Sequence, residues 1–474
     1  MIKYIISSLV FILLLSACSN RDYGDQDISK IPNALGVDKV SILSSVPSNN
    51  IAQSSYINIE FSSFMNANSF LNAEITLKNT QTDIEVEISF SSIENHLYIQ
   101  PLESLIINQK YRLSIDSNAV DIMGNSMDRA YEKVFTCREN FWEKVEAGET
   151  HTMALSRDGE LYLWGSNDYN ELKTSDDVMK SIPIGIIDSN SSKGFNAGSN
   201  TSGIIKDDSS LIIYGKQSLT LNDESLFETL SIGSRHSAII KNDGTLWSWG
   251  KDNYGQLGDA GITTKSYLVQ ENSLSDNWVE VTAAKDFSIA LKDDGTMWGW
   301  GTNTYGQIGN SEYNERRVPV QEDTNASDWK SISAGDNHSV AIKDDKSLWS
   351  WGYNESGELG DASNISSRVS VRESSDSNWS DASAGANHTL AIKENGTLWA
   401  WGSNYYGQLG DNSVEDKNIP TLISSDKWRS VSGGTNFSVG VKMDGTMWAW
   451  GYNAQNQLGL GDDSEDKLIP TEIK

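Results

Sequence analysis

An aromatic residue followed directly by glycine recurs through the C-terminal part of this 474-residue chain. Successive pairs are 50, 35, 51, 51, 50 and 49 residues apart. Self-similarity at a nearly fixed period of this length is typical of repeat architectures, in which each repeat is one supersecondary unit. The spacing predicts seven units between residues 141 and 474, the second of them short by a turn-and-loop segment. The pairs begin at Trp164, Tyr214, Trp249, Trp300, Trp351, Trp401 and Trp450.

The tryptophans support this interpretation, because all 16 fall at three positions of the unit. Six belong to the aromatic-glycine pairs, five stand two residues before a pair, and five open a unit. Residues two apart on a strand point to the same face of a sheet, and one large aromatic side chain can bury about 150–250 Å². We therefore expect the tryptophans to form the core between adjacent sheets. Outside the pairs, Trp142, Trp278, Trp329, Trp379 and Trp428 open units, and Trp247, Trp298, Trp349, Trp399 and Trp448 precede pairs.

Each unit has the pattern of four short strands, which the fourth unit illustrates. Its segments 287–292 and 296–300 are separated by Asp294-Gly295, and Asp-Gly between strands is a strong signal for a type I′ hairpin. A fourth strand around Pro319 suits the outer edge of a sheet, where proline is tolerated. Four strands in about 48 residues are typical of a propeller blade, and seven blades need about 336 residues. Residues 142–474 supply 333. The predicted fold class is all-β, a seven-bladed β-propeller, with an open solenoid as the alternative.

The order of residues within a unit resembles a known repeat. The sixth unit carries the full pattern, with GANHTLAI at 385–392, GTLWAWGSN at 396–404 and GQLG at 407–410. This pattern resembles the regulator-of-chromosome-condensation (RCC) repeat, and the resemblance extends over residues 141–474. The eukaryotic namesake promotes guanine-nucleotide exchange on a small GTPase and binds chromatin, so the resemblance implies such an activity. The second unit departs from the pattern, because it has no tryptophan, no Gly-Gln-Leu-Gly segment, and Thr201 at the place of the histidine.

The first residues have the pattern of an export signal. Residues 1–17 combine Lys3 with an apolar run that is short for a membrane span. The end of the run, Leu-Ser-Ala followed by Cys18, resembles the lipobox of bacterial lipoproteins, which implies lipidation of Cys18; an ordinary secretory signal is the alternative. Ser19 in place of aspartate favours the outer membrane or the cell surface. Residues 18–36 are polar without a period and are expected to be a flexible tether.

Residues 37–138 are predicted to form a separate β domain. Short alternating runs such as 56–61 and 84–88, separated by turn-rich pieces, favour an antiparallel β-sandwich. The segments 61–66 and 120–125 resemble the bacterial Ig-like domain, which implies a spacer or stalk. Cys137 is expected to be buried and inert.

Composition excludes several functional classes. The formal net charge of −28 argues against a nucleic-acid partner, because the phosphates would be repelled. Two cysteines exclude a disulfide framework and a multi-cysteine zinc scaffold.

Four histidines, His151, His236, His338 and His388, occupy one repeat position. They have two interpretations, a ring of metal-binding or acid–base groups, or buried side chains that fix strand ends. Phe287 and Phe437 stand at the same position elsewhere, which favours the structural role, because phenylalanine fills the space but neither ligates nor carries a proton.

No catalytic, cofactor-binding or metal-binding residue is predicted. The Gly-Gln-Leu-Gly segments contain no cation and start no helix, so they are turns and not phosphate-binding loops. The acidic loop 461–466 lacks the alternating ligand spacing of a calcium loop. The sequence contains no HExxH, no GxSxG and no P-loop motif.

Tyrosines in the loops between the third and fourth strands are the candidate partner contacts, because tyrosine is frequent at interaction hot spots. They are Tyr254, Tyr305 and Tyr406; the alternative is that each packs on its own blade. The predicted function is an exported, lipid-anchored binding protein with an extracytoplasmic protein partner and no cofactor. Inhibition of a partner enzyme is one concrete version, because a propeller of similar repeat is a secreted inhibitor of β-lactamases. Nucleotide exchange by family resemblance and a structural cell-envelope spacer are the alternatives.

Overall fold

The structure is a computed structural model, and its described residues are all-β. The predicted signal 1–17, Cys18 and the tether 18–36 lie outside them. A single 3-10 helix, Ala67–Leu71, occurs among the described residues, and none of their helices has the length and apolar character needed to cross a bilayer. The described residues are 42–46, 50–51, 57–63, 65–71, 73–93, 96–102, 105–106, 109–137, 142–157, 159–174, 178–186, 192–217, 219, 226–373, 376–461 and 463–473.

The N-terminal domain contains two sheets with the strand orders β1-β3-β7-β6 and β2-β9-β8-β4-β5. Alternate residues of β3 and β8, such as Ile59 and Leu113, meet in one buried core. Cys137 is buried there, and burial raises the pKa of its thiol to about 12, so the thiol is inert as expected. The strands are β1 (Ile42–Val46), β2 (Asn50–Ile51), β3 (Ile57–Phe61), β4 (Ile75–Asn79), β5 (Glu85–Val86), β6 (Ile88–Ile93), β7 (His96–Pro101), β8 (Lys110–Ile115) and β9 (Tyr131–Cys137).

One sequence expectation in this domain is wrong. The alternating run 84–88 does not form one strand, because β5 ends at Val86 and β6 begins at Ile88 in the other sheet. The chain crosses between the sheets at Glu87. The alternation of apolar and polar residues continues unbroken through this crossing. It therefore does not show where the chain passes from one sheet to the other.

Residues 142–473 form seven antiparallel sheets, named sheets 1 to 7 in chain order, each built from consecutive strands. Six have four strands and sheet 2 has three in the described residues. The strands of sheets 1 to 3 are β10 (Trp142–Ala147), β11 (His151–Ser156), β12 (Leu161–Gly165), β13 (Lys180–Gly185); β14 (Ser192–Ala197), β15 (Thr201–Lys206), β16 (Leu211–Gly215); β17 (Phe227–Ile232), β18 (His236–Lys241), β19 (Leu246–Gly250) and β20 (Lys265–Gln270).

The strands of sheets 4 to 7 are β21 (Trp278–Ala283), β22 (Phe287–Lys292), β23 (Met297–Gly301), β24 (Arg316–Gln321); β25 (Trp329–Ala334), β26 (His338–Lys343), β27 (Leu348–Gly352), β28 (Ser367–Arg372); β29 (Trp379–Ala384), β30 (His388–Lys393), β31 (Leu398–Gly402), β32 (Lys417–Ser424); β33 (Trp428–Gly433), β34 (Phe437–Lys442), β35 (Met447–Gly451) and β36 (Lys467–Ile473).

The first strand of every sheet faces a common axis. The ends of these seven strands line one cavity that is open to solvent. A recurring hydrogen bond joins neighbouring first strands, as where Ala283 N–H donates to Ser231 Oγ over 2.9 Å. The same bond runs from Ala147 N–H of sheet 1 to Ser432 Oγ of sheet 7, also over 2.9 Å. Sheet 7 therefore contacts sheet 1 as other neighbouring sheets contact each other.

The tryptophans lie between sheets, as the sequence predicts. Trp278 and Trp300 are 2% and 0% exposed and share a core with apolar residues of sheet 3. Their rings meet edge to face at 6.1 Å. Trp298 is only half-buried, and its outer side carries the Lys292 ammonium 4.5 Å from the ring centroid.

The hairpins form at the predicted positions, but their turns are not of type I′. In sheet 4 only Gly295 of the pair Asp294-Gly295 has a positive φ, +76°, and its N–H donates to the Lys292 carbonyl over 3.0 Å. This is the geometry of a type I turn followed by a residue in the left-handed region. Two turns without glycine keep the same conformation at a steric cost, with φ of +64° at Lys346 and +63° at Ser209.

Candidate functional site

The loops between the third and fourth strands share one end of the sheets with the turns between the first and second strands, because the strands alternate in direction. We call this end the loop face. In sheet 4 it consists of the turn 284–286 and the loop 302–315. The mouth of the axial cavity opens on the same face, since residues such as Lys285 and Asp336 line it.

The long loops of sheets 3 to 7 are anchored to the next sheet, which for sheet 7 is sheet 1, by a repeated set of hydrogen bonds. The Gln256 carbonyl of sheet 3 accepts from Trp300 Nε1 at 2.8 Å and from Ser288 Oγ at 3.0 Å. The ring Nε2 of His236 lies 2.7 Å from the same serine oxygen. These contacts hold the loop face rigidly on the sheets below it.

The four repeat histidines are part of this anchoring. Each is at most 1% exposed, and its Nε2 lies 2.7–3.1 Å from a serine or threonine hydroxyl of the next sheet. Burial lowers the pKa of His236 and His388 to about 3, and that of His151 and His338 to about 4, so the rings are neutral.

The contacts of the histidines fit the structural interpretation. The described residues contain no group of three or more His, Cys, Asp or Glu side chains arranged to hold a metal ion. A β-carbon on Gly385 would overlap the ring of His388, which explains the glycine three residues before the histidine in the repeat.

The glutamine of the Gly-Gln-Leu-Gly segment closes its own loop. Gln256 Oε1 accepts from the Tyr254 N–H at 2.9 Å, and Gln307 does the same for Tyr305. In sheet 5 this position is Glu358, which is 0% exposed and accepts from Ser356 N–H, while its Oε1 has no hydrogen-bond partner. Burial raises the pKa of Glu358 to about 7.

Sheet 3 carries a similar exception at the start of its loop. Asp252 stands where sheets 4 to 7 have asparagine, and its Oδ2 is buried without a partner. Burial raises the pKa of this carboxyl to about 6. With Glu171 of sheet 1, which stands at the glutamine position and accepts from the Tyr169 N–H, three loops hold a carboxyl group where the repeat elsewhere places an amide.

The structure places the three candidate tyrosines on the loop face. Tyr254 and Tyr305 are 39% and 37% exposed. Tyr305 packs edge to face on Tyr353 of sheet 5 at 4.9 Å, and Tyr406 packs on Tyr452 of sheet 7 at 4.9 Å. Tyr305 and Tyr406 thus contact the following sheet, and Tyr406 also packs on Tyr405 of its own loop.

Sequence reasoning missed five further aromatic residues of this surface, one of them Tyr313 on the loop of sheet 4, which is 51% exposed. Tyr169 is the counterpart of Tyr254 in sheet 1, and Lys216 of sheet 2 lies over it with Nζ 4.7 Å from the ring centroid. Tyr405 is 75% exposed and packs on Tyr406. The sequence contains a signal for part of this surface. The two remaining aromatic residues, Tyr353 and Tyr452, directly follow aromatic-glycine pairs, and so does Lys216.

The acidic loop at 461–466 uses its carboxylates locally. Asp463 pairs with Lys467 at 2.7 Å, and Asp466 accepts from the Asn453 N–H at 2.9 Å. This ion pair and this hydrogen bond stabilise the loop.

Ionisable groups on the first strands of different sheets lie close enough to interact. Lys144 pairs with Glu146 at 2.8 Å, and this carboxylate raises the pKa of the lysine. Burial raises the pKa of Glu280 to about 7 and also raises that of Asp381. The lysine and the two carboxyls act on each other electrostatically.

Three family models match the chain. The model described as an RCC1-like domain matches residues 217–474, and the regulator of chromosome condensation (RCC1) repeat matches residues 142–171. The bacterial Ig-like domain matches residues 37–137.

Curated relatives match over part of their length. The ultraviolet-B receptor UVR8 of Arabidopsis thaliana is 30% identical over 220 residues, which are 46% of this chain and 42% of that protein. The human E3 ubiquitin-protein ligase HERC2 is 26% identical over 228 residues, which are 47% of this chain and 4% of that protein. The chain thus spans less than half the length of these relatives.

Solved structures share the fold. Human WBSCR16 superposes with a TM-score of 0.51 at 18% identity, covering 74% of this chain and 85% of that one. Yeast RCC1 bound to Kap60 superposes with a TM-score of 0.51 at 21% identity, covering 70% of this chain and 75% of that one.

Proposed function

Because the chain belongs to the RCC1-like domain family, we propose that it is a binding protein that holds a protein partner on its loop face. The observation that carries this proposal is the row of partly exposed tyrosines, Tyr254, Tyr305, Tyr405 and Tyr406, on loops anchored to neighbouring sheets. A rigid scaffold lowers the entropy that binding costs, and tyrosine is frequent at hot spots.

The architecture behind this proposal is one closed seven-bladed propeller on an Ig-like stalk. Its support is the count of seven sheets around one axial cavity and the bond from Ala147 to Ser432. The two facing groups of strands at 42–137 support a sandwich for the N-terminal domain. The yeast RCC1 structure, solved with Kap60 bound, supports a protein as the type of partner.

We further propose that the protein is exported and anchored by lipid at Cys18, in the outer membrane or at the cell surface. The support is the signal-like segment 1–17 and the lipobox-like residues before Cys18. The test is mass spectrometry of the mature amino terminus, together with protease shaving of intact cells. An unmodified terminus, or a chain protected in the cytoplasm, contradicts this part of the proposal.

The test of binding is affinity capture from envelope extract and from neighbouring cells. The full chain is the bait, and a Tyr405→Ser, Tyr406→Ser variant is compared with Tyr267→Ser, whose ring is 47% exposed on β20 away from the loop face. We expect a partner that the loop-face variant loses and the β20 variant keeps. Failure to recover any partner at micromolar affinity contradicts the proposal.

Guanine-nucleotide exchange is the competing function that the family resemblance implies. The predicted export and the net charge of −28 favour binding without catalysis. Labelled-nucleotide release from a small GTPase, unchanged by added protein, separates the two. A spacer role predicts that deletion alters the envelope while no partner is bound.

A further inference from the structure

The loop face is divided by charge into two parts. We call the described loop segments of sheets 5 to 7 the acidic sector; it contains 10 Asp and Glu and no Lys or Arg. The equivalent segments of sheets 3 and 4 contain five Asp and Glu and three basic residues, Arg235, Lys251 and Lys285. The sector comprises residues 335–337, 353–366, 385–387, 403–416, 434–436, 452–461 and 463–466.

The acidic sector also presents apolar surface to solvent. Ile365 and Tyr405 are 76% and 75% exposed, and Val414 is 54% exposed. Glu415 lies beside Val414 in the chain with its side chain 82% exposed. Exposed apolar side chains and exposed carboxylates thus occur together in this sector, a composition that complements the long aliphatic stems and charged heads of lysine and arginine.

The tyrosines of the sector lie among carboxylates. Tyr353 Oη donates to Glu355 at 2.9 Å. Burial, this bond and the nearby charges of Glu355 and Glu358 raise the pKa of the Tyr353 phenol to about 12. The surface therefore favours positive charge close to the aromatic rings.

The chain itself pairs cations with tyrosines of the loop face elsewhere. Lys216 Nζ lies 4.7 Å from the Tyr169 ring centroid, and the Arg368 guanidinium lies 5.3 Å from that of Tyr313. These are distances of a cation–π interaction. In the described part of the chain, no Lys or Arg lies over the ring of Tyr405 in the same way.

We propose that the acidic sector binds a lysine- and arginine-rich segment of a protein partner, with Tyr405 taking a cation of that segment on its ring. This inference rests on the proposed function and specifies the chemistry of the partner. Carboxylates such as Glu415 steer the basic segment to the sector, and its aliphatic stems cover Ile365 and Val414.

The probe is a fluorescein-labelled 12-residue peptide with six lysines and arginines among glycines and serines. Its binding to the full chain is measured by fluorescence anisotropy at low and at raised salt. A peptide with glutamate at the six basic positions is the charge control. We expect binding of the basic peptide alone, weakening by tenfold or more as salt rises, because the contacts are charged.

Two double variants with matched changes locate the site. Tyr405→Ser with Glu415→Gln alters the sector, and Tyr267→Ser with Glu228→Gln makes the same changes on exposed strand residues of sheet 3, outside the loop face. We expect the sector variant to weaken peptide binding about tenfold and the other to change it less than twofold. Equal weakening by both, or no binding to the unaltered chain, overturns the inference.

Capture experiments separate this inference from the proposed function. A captured partner that is lost with the sector variant and kept with the strand variant of sheet 3 supports both. A partner that the two variants retain equally well supports the proposed function and overturns the basic-segment inference. Self-association of the full chain through the sector, seen by analytical ultracentrifugation and abolished by the sector variant, overturns the inference as well.

Discussion

The indole Nε1 of Trp164, in sheet 1, donates a hydrogen bond over 2.9 Å to the carbonyl oxygen of Gln457, in the loop of sheet 7. Trp351 makes the same bond to Gln307 between sheets 5 and 4, over 2.8 Å. Both indoles are fully buried. One anchoring geometry therefore joins sheets that are neighbours in the chain and sheets at its two ends.

Trp164→Phe is expected to destabilise the protein by about 1–3 kcal/mol, because a buried carbonyl loses its indole donor. Trp351→Phe is the matched variant within the array and is expected to cost a similar amount. Urea unfolding of both variants measures the costs. A much smaller loss for Trp164→Phe would contradict equivalent contacts between sheets 1 and 7.

Glu358→Gln is expected to stabilise the protein above about pH 7. Burial raises the folded-state pKa of Glu358 to about 7 from an ordinary value of 4.5. The folded state therefore holds a proton that the unfolded state releases above about pH 4.5, so stability falls as pH rises from 4.5 to 7. Glutamine at this position removes the loss, so the free energy of unfolding is expected to rise by about 1–3 kcal/mol at pH 8.

The pH dependence of the Glu358→Gln gain is the decisive measurement. Below about pH 4.5 the two proteins are expected to be equally stable, since the wild-type carboxyl is then protonated in both states. Glu171→Gln is the control, because both oxygens of Glu171 already accept hydrogen bonds, from Ser166 Oγ and Tyr169 N–H. A gain at Glu358 that is independent of pH would refute the assignment to a buried carboxyl.

His388→Phe is expected to be tolerated, with a loss of stability below about 1.5 kcal/mol. Phe287 and Phe437 occupy the same position in sheets 4 and 7, and Ser438 keeps its bond to the Gln408 carbonyl. His388→Ala leaves a cavity and is expected to cost about 2–4 kcal/mol. Thermal unfolding with partner binding as a second readout checks this, and loss of binding in the folded phenylalanine variant would argue against a purely structural histidine.

Lys346→Gly is expected to stabilise the hairpin of sheet 5 by about 1 kcal/mol, because Lys346 holds a φ of +64° that favours glycine. The pairing of Lys346 with Glu394 at the surface contributes little against this. Gly295→Ala is the converse change in sheet 4, where a β-carbon would meet the Ser327 carbonyl, and is expected to destabilise. Denaturant midpoints of the two variants should move in opposite directions.

The sequence predicts the elements of each unit well, because their signals are local. Asp294-Gly295 marks a turn, and the tryptophan phase marks which side of a strand is buried, so sheet 4 follows from its own residues. The contact of Tyr305 with Tyr353 is not local, since it joins equivalent ends of two different units. It depends on how far neighbouring sheets are rotated about the axis, which no single repeat encodes.

Two of the carboxyls in amide positions, those with an unpartnered oxygen, are an intermediate case. Comparison of units shows that Asp252 and Glu358 depart from the repeat. Their burial and their unpartnered oxygens require the folded loops, because exposure of a loop residue is not written in its spacing. The sequence thus shows that these residues differ from the repeat, and only the structure shows that their carboxyl groups are buried with an unpartnered oxygen.

The bond from Ala147 to Ser432 has a consequence for how the chain matures. The polar groups on the open side of sheet 1 have no counterpart until about 285 residues more have been synthesised. A contact of such long sequence separation slows folding, because the chain loses the entropy of loop closure before the contact stabilises it. If the chain crosses a membrane from its amino terminus, sheet 1 emerges before sheets 2 to 7 but gains its contact with sheet 7 last. In the interval its open side needs protection from other nascent chains.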